Sequence, residues 1–525
     1  MAGSLLIRKE IIRLHASDEQ LALRLQRLFK DKLQHDLQEM MERVFDQAST
    51  SELYINIDKL SLDLGVLQAD VFEQQFVKEV EPKLANELRR QLQDYLEPIN
   101  DADQLRRFYD DTPVAAPSLQ LNSAGEQRLN ALLFFLENGI YPWWYQNENP
   151  QAPEALLEMM MANQAENLIL RIISFKNSKT NQTFQNILSR LFTYLDELKY
   201  LEIINILVKL YNDQRLIQNT EAIISHVEEI TESILVKGSI PLKKFHQTLF
   251  KFILTHASDS NENFIYHFLK YLVNQNNSSF PTLNNGPKVS LGASDFEAAL
   301  LKIIKEFGDK AALQKKGSPQ GDLPKKGNPD LEAAKEGGDA IQQPNPIPEE
   351  KKPATPEILE AIYIHNAGLV LLHPFLPAFF AEAGLLSKKH IFLSGEAQQK
   401  AAVLLYYMQS GEAQYKEWEM PFNKILCGFD HREVLAEGIV ITDTDKQNCE
   451  QLLRAVVNHW EALKGASIQA LQNTFLLHEG KISWKECFWL IQVERSGADI
   501  LLDKLPWGYS TIKFPWLENI IHTEW

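Results

Sequence analysis

Cysteine, clustered positive charge and long apolar runs are what this chain of 525 residues has least of, and each shortage removes a class of function. The three cysteines (Cys427, Cys449, Cys487) lie far apart, with no Cys-x-x-Cys and no nearby histidine pair at zinc spacing. They read as reduced core residues of a cytosolic protein. The first ten residues contain no apolar segment of secretory-signal length. The most apolar window, 368–386, is broken by His373, Pro374, Pro377 and Glu382, which makes it poor as a membrane span. Acidic residues outnumber basic ones by 70 to 53, a formal net charge of −17. Nucleic acids and anionic membranes are recognised by clustered Lys and Arg, so neither is an expected partner; such an acidic body suits solubility or a basic protein partner.

Catalytic signatures are missing as well. There is no Gly-x-x-x-x-Gly-Lys-Ser/Thr loop, no Gly-x-Gly-x-x-Gly after a strand, no His-Glu-x-x-His and no Gly-x-Ser-x-Gly. The expectation is a protein that is not an enzyme and holds no cofactor or metal. What is present is 45% hydrophobic and 23% charged residues, the balance of a soluble globular chain with room for two to four domains.

The pattern predicts a mainly α protein with small α+β portions. Residues 1–99 read as an N-terminal β-α-β-α unit: a strand at 5–14, a helix capped by Ser17 and Gln20, a strand at 53–64 with a parity break at Asp58-Lys59, and a helix from Asp70. Two strands are marginal alone, so the sheet is expected to be completed elsewhere in the chain or by self-association through its edge. Residues 100–152 read as a connector with a corner at Trp143-Trp144, and 153–314 as a central array of amphipathic helices without a fixed-period repeat. Residues 315–355 change in kind. Across 315–356, thirteen of 42 residues are Gly or Pro and none is aromatic, too little apolar surface to offset ordering entropy, hence a flexible linker. The segment 259–263 has calcium-loop residue types without EF-hand spacing and reads as a loop.

Residues 356–525 form the expected C-terminal α+β domain. Six of the nine tryptophans lie in the last 66 residues, two of them closing the near-copies Leu505-Pro506-Trp507 and Phe514-Pro515-Trp516. Such rings staple a core or face a partner, which makes Trp143, Trp144, Trp507, Trp516 and Trp525 the candidate partner-binding residues. A polar group of His459, Glu494, Arg495, Asp499 and Asp503 stands out nearby, with Asp499 and Asp503 at i, i+4. It reads as a structural network neutralised by Arg495 and Lys504, against paired catalytic carboxylates; a Cys427/His373 nucleophile pair is the remaining enzymatic option.

Several strings in this region are distinctive: NAGLVLLHPFLPAFF (366–380), NKILCGF (423–429), VVNHWEALKGAS (456–467), FLLHEGKI (475–482), VERSGADILLDKLPW (493–507) and IKFPWL (512–517). With INIDKLSLDLG (55–65) and FFLENGIYPWW (134–144) they resemble, in order and spacing, the contractile injection system tape measure family of phage-tail-like particles. The resemblance is carried by residues 1–145 and 356–525. It implies a structural protein that occupies the inner tube lumen and sets tube and sheath length, with inner tube and baseplate proteins as partners. It also implies residence in the bacterial cytoplasm during assembly, then inside the particle. A second reading is an end-bound adaptor, initiator or plug that does not measure length, because a chain rich in loops and prolines is far shorter than a continuous helix.

Overall fold

The computed structural model describes residues 7, 10–48, 53–57, 60–69, 71–96, 119–146, 151–225, 227, 241–257, 264–277, 361–436 and 438–525. The linker expected at 315–355 and the loop at 259–263 lie outside them. The described chain is mainly helical, with one five-stranded sheet near its C-terminal end.

Helix α1 (Glu19–Leu28) continues through a π-helical turn at Phe29–Leu33 into α2 (Gln34–Ala48). Its cap is Asp18, not Ser17: the aspartate carboxylate accepts the Leu21 amide at 2.8 Å. Leu25, Leu33, Leu37, Met40 and Val44 form one buried stripe against Phe72, Phe76, Val80, Leu84 and Leu88 of α3 (Phe72–Leu96). The two helices run parallel, since the pairs Lys32–Glu73 (3.1 Å) and Arg43–Glu81 (3.3 Å) advance together along both. The chain returns between them through β1 (Leu53–Ile57) and an extended stretch that lays Leu60, Leu62, Leu64 and Leu67 on the pair.

Among the described residues the expected β-α-β-α order is not confirmed. Of the strand expected at 5–14, Ile7 and residues 10–14 are described and carry no strand pairing; Ile12 packs on the helix pair while Ile7, Ile11 and Leu14 stay exposed. The neighbour of β1 is instead β2 (Leu119–Ser123), antiparallel with Leu53 opposite Ser123 and Ile57 opposite Leu119. Five residues of weak alternation inside an expected connector gave no sequence signal for it.

Ser123 ends β2 and caps α4 (Ala124–Asn138), exchanging bonds with Glu126 in a capping box. Gly139 closes that helix at φ 72°, and its missing Cβ leaves room for the Arg190 guanidinium, which a Cβ would meet at 2.5 Å. After the short helix α5 (Trp143–Gln146) come α6 (Pro153–Ser178, interrupted at Gln164), α7 (Asn181–Tyr194), α8 (Tyr200–Tyr211) and α9 (Gln214–Ser225). Helices α10 (Leu242–His256) and α11 (Phe264–Asn277) complete the described part of the array. Their core is aromatic, with Phe192 edge-on to both Tyr200 (5.4 Å) and Phe250 (5.4 Å) and Phe245 edge-on to Phe268 (5.6 Å).

Beyond Ala361 the chain forms β3 (Ile362–Ile364), whose β-branched pair flanking Tyr363 is used against Gly480–Ile482. A 3-10 turn (Ala367–Leu372) leads into α12 (Leu376–Glu382), followed by α13 (Gly395–Ser410), α14 (Pro421–Leu426), α15 (Asp443–His459) and α16 (Ile468–Leu471). Strands β4 (Gly480–Lys485), β5 (Phe488–Val493), β6 (Thr511–Ile512) and β7 (Ile520–Glu524) complete a sheet ordered β3-β4-β5-β7-β6, in which only β5 and β7 are parallel neighbours.

Gly368 is where the 3-10 turn crosses the chain behind α16 most closely: a Cβ there would lie 1.6 Å from the Phe475 carbonyl oxygen. Gly368→Ala is therefore expected to destabilise the C-terminal domain by about 3 kcal/mol, the upper range for forced overpacking. Urea unfolding followed by tryptophan fluorescence measures it, and an unchanged midpoint contradicts the packing described.

Candidate functional site

The most heavily engineered point of the molecule lies where the helical array meets the C-terminal domain. Helix α7 carries Arg190 and, one turn on, Tyr194, both turned toward a 3-10 turn at Glu417–Glu419. Helix α14, started by Pro421, brings Lys424 to the same place. Arg190 and Lys424 are 0% exposed and Glu417 is 3% exposed, so three formal charges are fully desolvated together.

Their bonding is complete. Arg190 donates Nε (3.1 Å) and Nη2 (3.0 Å) to Glu417 Oε1, Nη1 to the carbonyls of Leu136 (2.9 Å) and Glu137 (3.1 Å), and Nη2 again to the Arg432 carbonyl (2.5 Å). That uses the whole guanidinium donor set. Lys424 Nζ donates to Glu417 Oε1 (2.9 Å), the His431 carbonyl (3.2 Å) and the Glu433 carbonyl (2.6 Å). The Tyr194 hydroxyl donates to Glu417 Oε2 at 3.3 Å. One carboxylate leaves one positive charge unbalanced, and carbonyl dipoles offset it. Those of Leu136 and Glu137 belong to the last turn of α4, the negative end of that helix.

Burial alone would push the Glu417 carboxyl up, but Lys424 and Arg190 outweigh it and hold it below the ordinary carboxylate range. Burial pushes the Lys424 ammonium down, with Glu417 opposing, and pushes the Tyr194 hydroxyl up. His431, beside the cluster, is driven down to about 4 by burial and keeps a neutral ring. Around the charges, Trp418 sets its ring against Phe135 (6.3 Å) and Tyr141 (6.1 Å), while Ile140 enters the core of the C-terminal domain. With every donor of Arg190 and Lys424 consumed inside the chain, the arrangement holds two parts of the protein together.

The tryptophans named from sequence are placed individually. Trp507 donates Nε1 to the Leu371 carbonyl (3.0 Å), Trp516 to the Leu426 carbonyl (2.9 Å) and Trp525 to Asp499 Oδ2 (2.9 Å). All three rings are half-buried against the C-terminal core. Trp143 and Trp144 are half-buried on α5, Trp144 packing on the core of the array.

Of the expected polar group, the structure joins Asp499 and Arg495 around Trp525. Asp499 accepts from the Ser496 amide (2.7 Å) and hydroxyl (3.0 Å), and Arg495 Nη2 donates to the Trp525 carbonyl (3.2 Å). His478, not named from sequence, lies 3.6 Å from Asp499 and 4.9 Å ring to ring from Trp525. Asp503 is exposed: the segment Gly497–Lys504 is a 3-10 helix, whose three residues per turn rotate i+4 well away from i. Exposed Glu494 and His459 also stand apart, His459 against the Phe375 ring at 6.0 Å. Buried Cys427 has its thiol raised well above the usual value, which removes thiolate character. Among the described residues no three His, Cys, Asp or Glu side chains gather to hold a metal, and no helix is long and apolar enough to cross a membrane.

The segments that meet at the buried charges, 134–144 and 423–429, are two of those that carry the family resemblance. The family model for contractile injection system tape measure proteins matches residues 4–525, the middle of the chain included. The chain belongs to that family. No individually curated protein and no solved structure matches it. As a family member it is a tape measure-type structural protein of a contractile injection system.

In this tape measure-type protein the joining residues Arg190, Glu417 and Lys424 escaped sequence reading. The available signal was a charge inside an apolar run in both places, Ile187 to Phe192 and Pro421 to Cys427. Glu417→Gln leaves two buried cations without their anion and is expected to cost about 4 kcal/mol in chemical denaturation. Because the folded carboxyl lies below its ordinary 4.5, its contribution is complete above that pH and is lost as pH falls through the lower folded value. Acid unfolding of the wild type should therefore steepen below about pH 4.5. The glutamine variant should lack that component, and identical acid profiles would contradict the assignment.

Proposed function

We propose that this chain is the length-setting component of its particle, lying in the inner tube lumen and contacting inner tube and baseplate proteins, after loading in the bacterial cytoplasm. The observation that carries the reading is the family match over residues 4–525, together with the way distant family segments are gathered into one body by Arg190, Glu417 and Lys424. Between Asn277 and Ala361, both among the described residues, the sequence runs through 83 further residues (278–360). At about 3.3–3.6 Å per residue a fully extended stretch of that length would reach roughly 270–300 Å, the reach a length-setting role would draw on.

A second reading, the end-bound adaptor or plug, is favoured by the docking itself: a body so fully bonded across its junction suits one end of a tube better than a thread along it. Deleting Lys315 to Pro353 separates the two. For a ruler, particles should shorten by about 60 Å if those residues are helical in the tube, or about 130 Å if extended. Electron microscopy of negatively stained particles gives the length, and particles of unchanged length support the adaptor instead.

Self-association through the N-terminal sheet belongs to the same proposal. Among the described residues β1 and β2 each have one strand neighbour, which leaves an outer edge on each. Sedimentation at micromolar concentration should show dimers or larger species; a monomer at every concentration rejects this contact.

A further inference from the structure

The loop at 430–433 is the clasp of the junction between the array and the C-terminal domain. The carbonyls of His431 and Glu433 hold the Lys424 ammonium at 3.2 and 2.6 Å. Between them in sequence, the Arg432 carbonyl holds the Arg190 guanidinium at 2.5 Å and the Asn186 side-chain amide, also on α7, at 3.2 Å. Three successive carbonyls thus serve the array on one side and α14 on the other. Asp430 folds the loop into this shape: its carboxylate accepts the Arg432 amide (2.8 Å), Nε (3.2 Å) and Nη2 (2.9 Å), and its carbonyl accepts the Glu433 amide (2.9 Å).

Inside this clasp sits a histidine that the docked body does not use. The His431 side chain is 11% exposed, and its Nε2 is buried without a hydrogen-bond partner among the described residues. Its Nδ1 lies 3.4 Å from Asp430 Oδ1, an oxygen already taken by Arg432. The charges facing the ring are lopsided. Arg190 on α7, Lys424 on α14 and Arg432 on the loop itself oppose a further positive charge, while Asp430 favours one. Glu417 is shared by Arg190 and Lys424 and accepts from Tyr194, Glu137 at the end of α4 pairs with Lys179 (2.8 Å), and Glu433 is exposed. A proton added at Nε2 would therefore put a third cation beside two that already share one carboxylate, on an N–H with no acceptor. Moving the loop to water relieves that charge and withdraws all three carbonyls from Arg190 and Lys424 at once.

We propose that His431 is a proton-operated release for the junction: protonation of its ring expels the 430–433 loop and undocks the helical array from the C-terminal domain, each part keeping its own fold. The two sides have separate cores to stand on, Phe192, Tyr200, Phe245 and Phe250 in the array and Leu404, Leu426, Val456 and Trp460 in the C-terminal domain. The inference goes beyond length-setting and holds for a ruler and an adaptor alike. Its pH window follows from the two states. Burial holds the docked ring down to about 4, whereas the opened loop returns it to the ordinary 6.5. Between those values the opened state binds one more proton, so docking is at full strength above 6.5 and weakens as pH falls toward 4. Glu417 and Asp430 are both held below their ordinary ranges and titrate under this window.

Hydrogen–deuterium exchange of the full-length chain, read by mass spectrometry and corrected for the pH dependence of free-amide exchange, measures such opening even when it is rare. The peptide 428–436 should lose protection about thirtyfold between pH 7.5 and pH 5. Helices α6 and α13, one in the core on each side, should keep theirs. His431→Gln and His431→Phe remove the titrating group, the second with a ring of similar shape, and at least one of them should hold the loop at wild-type protection at pH 7.5 and show no loss at pH 5. Loop protection independent of pH in the wild type overturns the proposal, and so does the same acid sensitivity in both variants. Low protection at every pH in both variants means that the ring packs the loop without gating it, and overturns it too. Protection lost from α6 and α13 in step with the loop rejects release in favour of acid unfolding of the whole body.

Discussion

Glu417 is a single carboxylate shared between two buried cations, and the joining of array to C-terminal domain depends on it. Taking three charges out of water is unfavourable by several kcal/mol per ion, about as much as their attraction returns, so such a cluster is poor as a source of net stability. What it supplies is uniqueness. A purely apolar junction tolerates sliding, whereas the Arg190 fork has one position in which both nitrogens facing Glu417 and all the carbonyls are satisfied. Gly139 follows from the same constraint, because the guanidinium occupies the volume where a side chain would stand. The apolar contacts of Trp418 and Ile140 then add area to a junction whose register is already set.

The same division of labour recurs in the tryptophans. A ring this large anchors a core only if its N–H is not stranded, and in each Pro-Trp motif it is not: Trp507 reaches Leu371 and Trp516 reaches Leu426, both backbone carbonyls at the ends of helical turns that have no partner of their own. Each indole therefore satisfies a carbonyl while covering apolar surface. The two copies flank the sheet's short edge strand β6, at Thr511–Ile512.

Elements whose signal is local were legible in the sequence, and those whose signal lies in a distant partner were not. The array helices announce themselves by apolar stripes, and so does the helix at Asp443–His459, whose Thr442 capping box the structure adds. Strand β3 has no sequence signal because three residues between a polar segment and an apolar turn have no period of their own; Gly480–Ile482, over a hundred residues later, makes them a strand. β7 was missed for a similar reason, since its parallel pairing with β5 leaves no hairpin turn to mark it. The i, i+4 spacing of Asp499 and Asp503 misled because it presumes an α-helix, and the backbone there is wound more tightly. The buried charges were least legible of all: Arg190 and Glu417 are 227 residues apart.

The position of the charge cluster along the chain also bears on how the two parts are joined. It ties the array to the C-terminal domain through residues on either side of the 278–360 stretch, so the tie closes a loop of the chain rather than its ends. Loop-closure entropy rises only logarithmically with length, by about 0.6 kcal/mol for each doubling. On that scaling, even doubling the number of residues between the two sides would change the entropy of closing the tie by only about 0.6 kcal/mol. A junction fixed by the geometry of buried charges is therefore specific enough to form largely independently of the length of chain between its two sides.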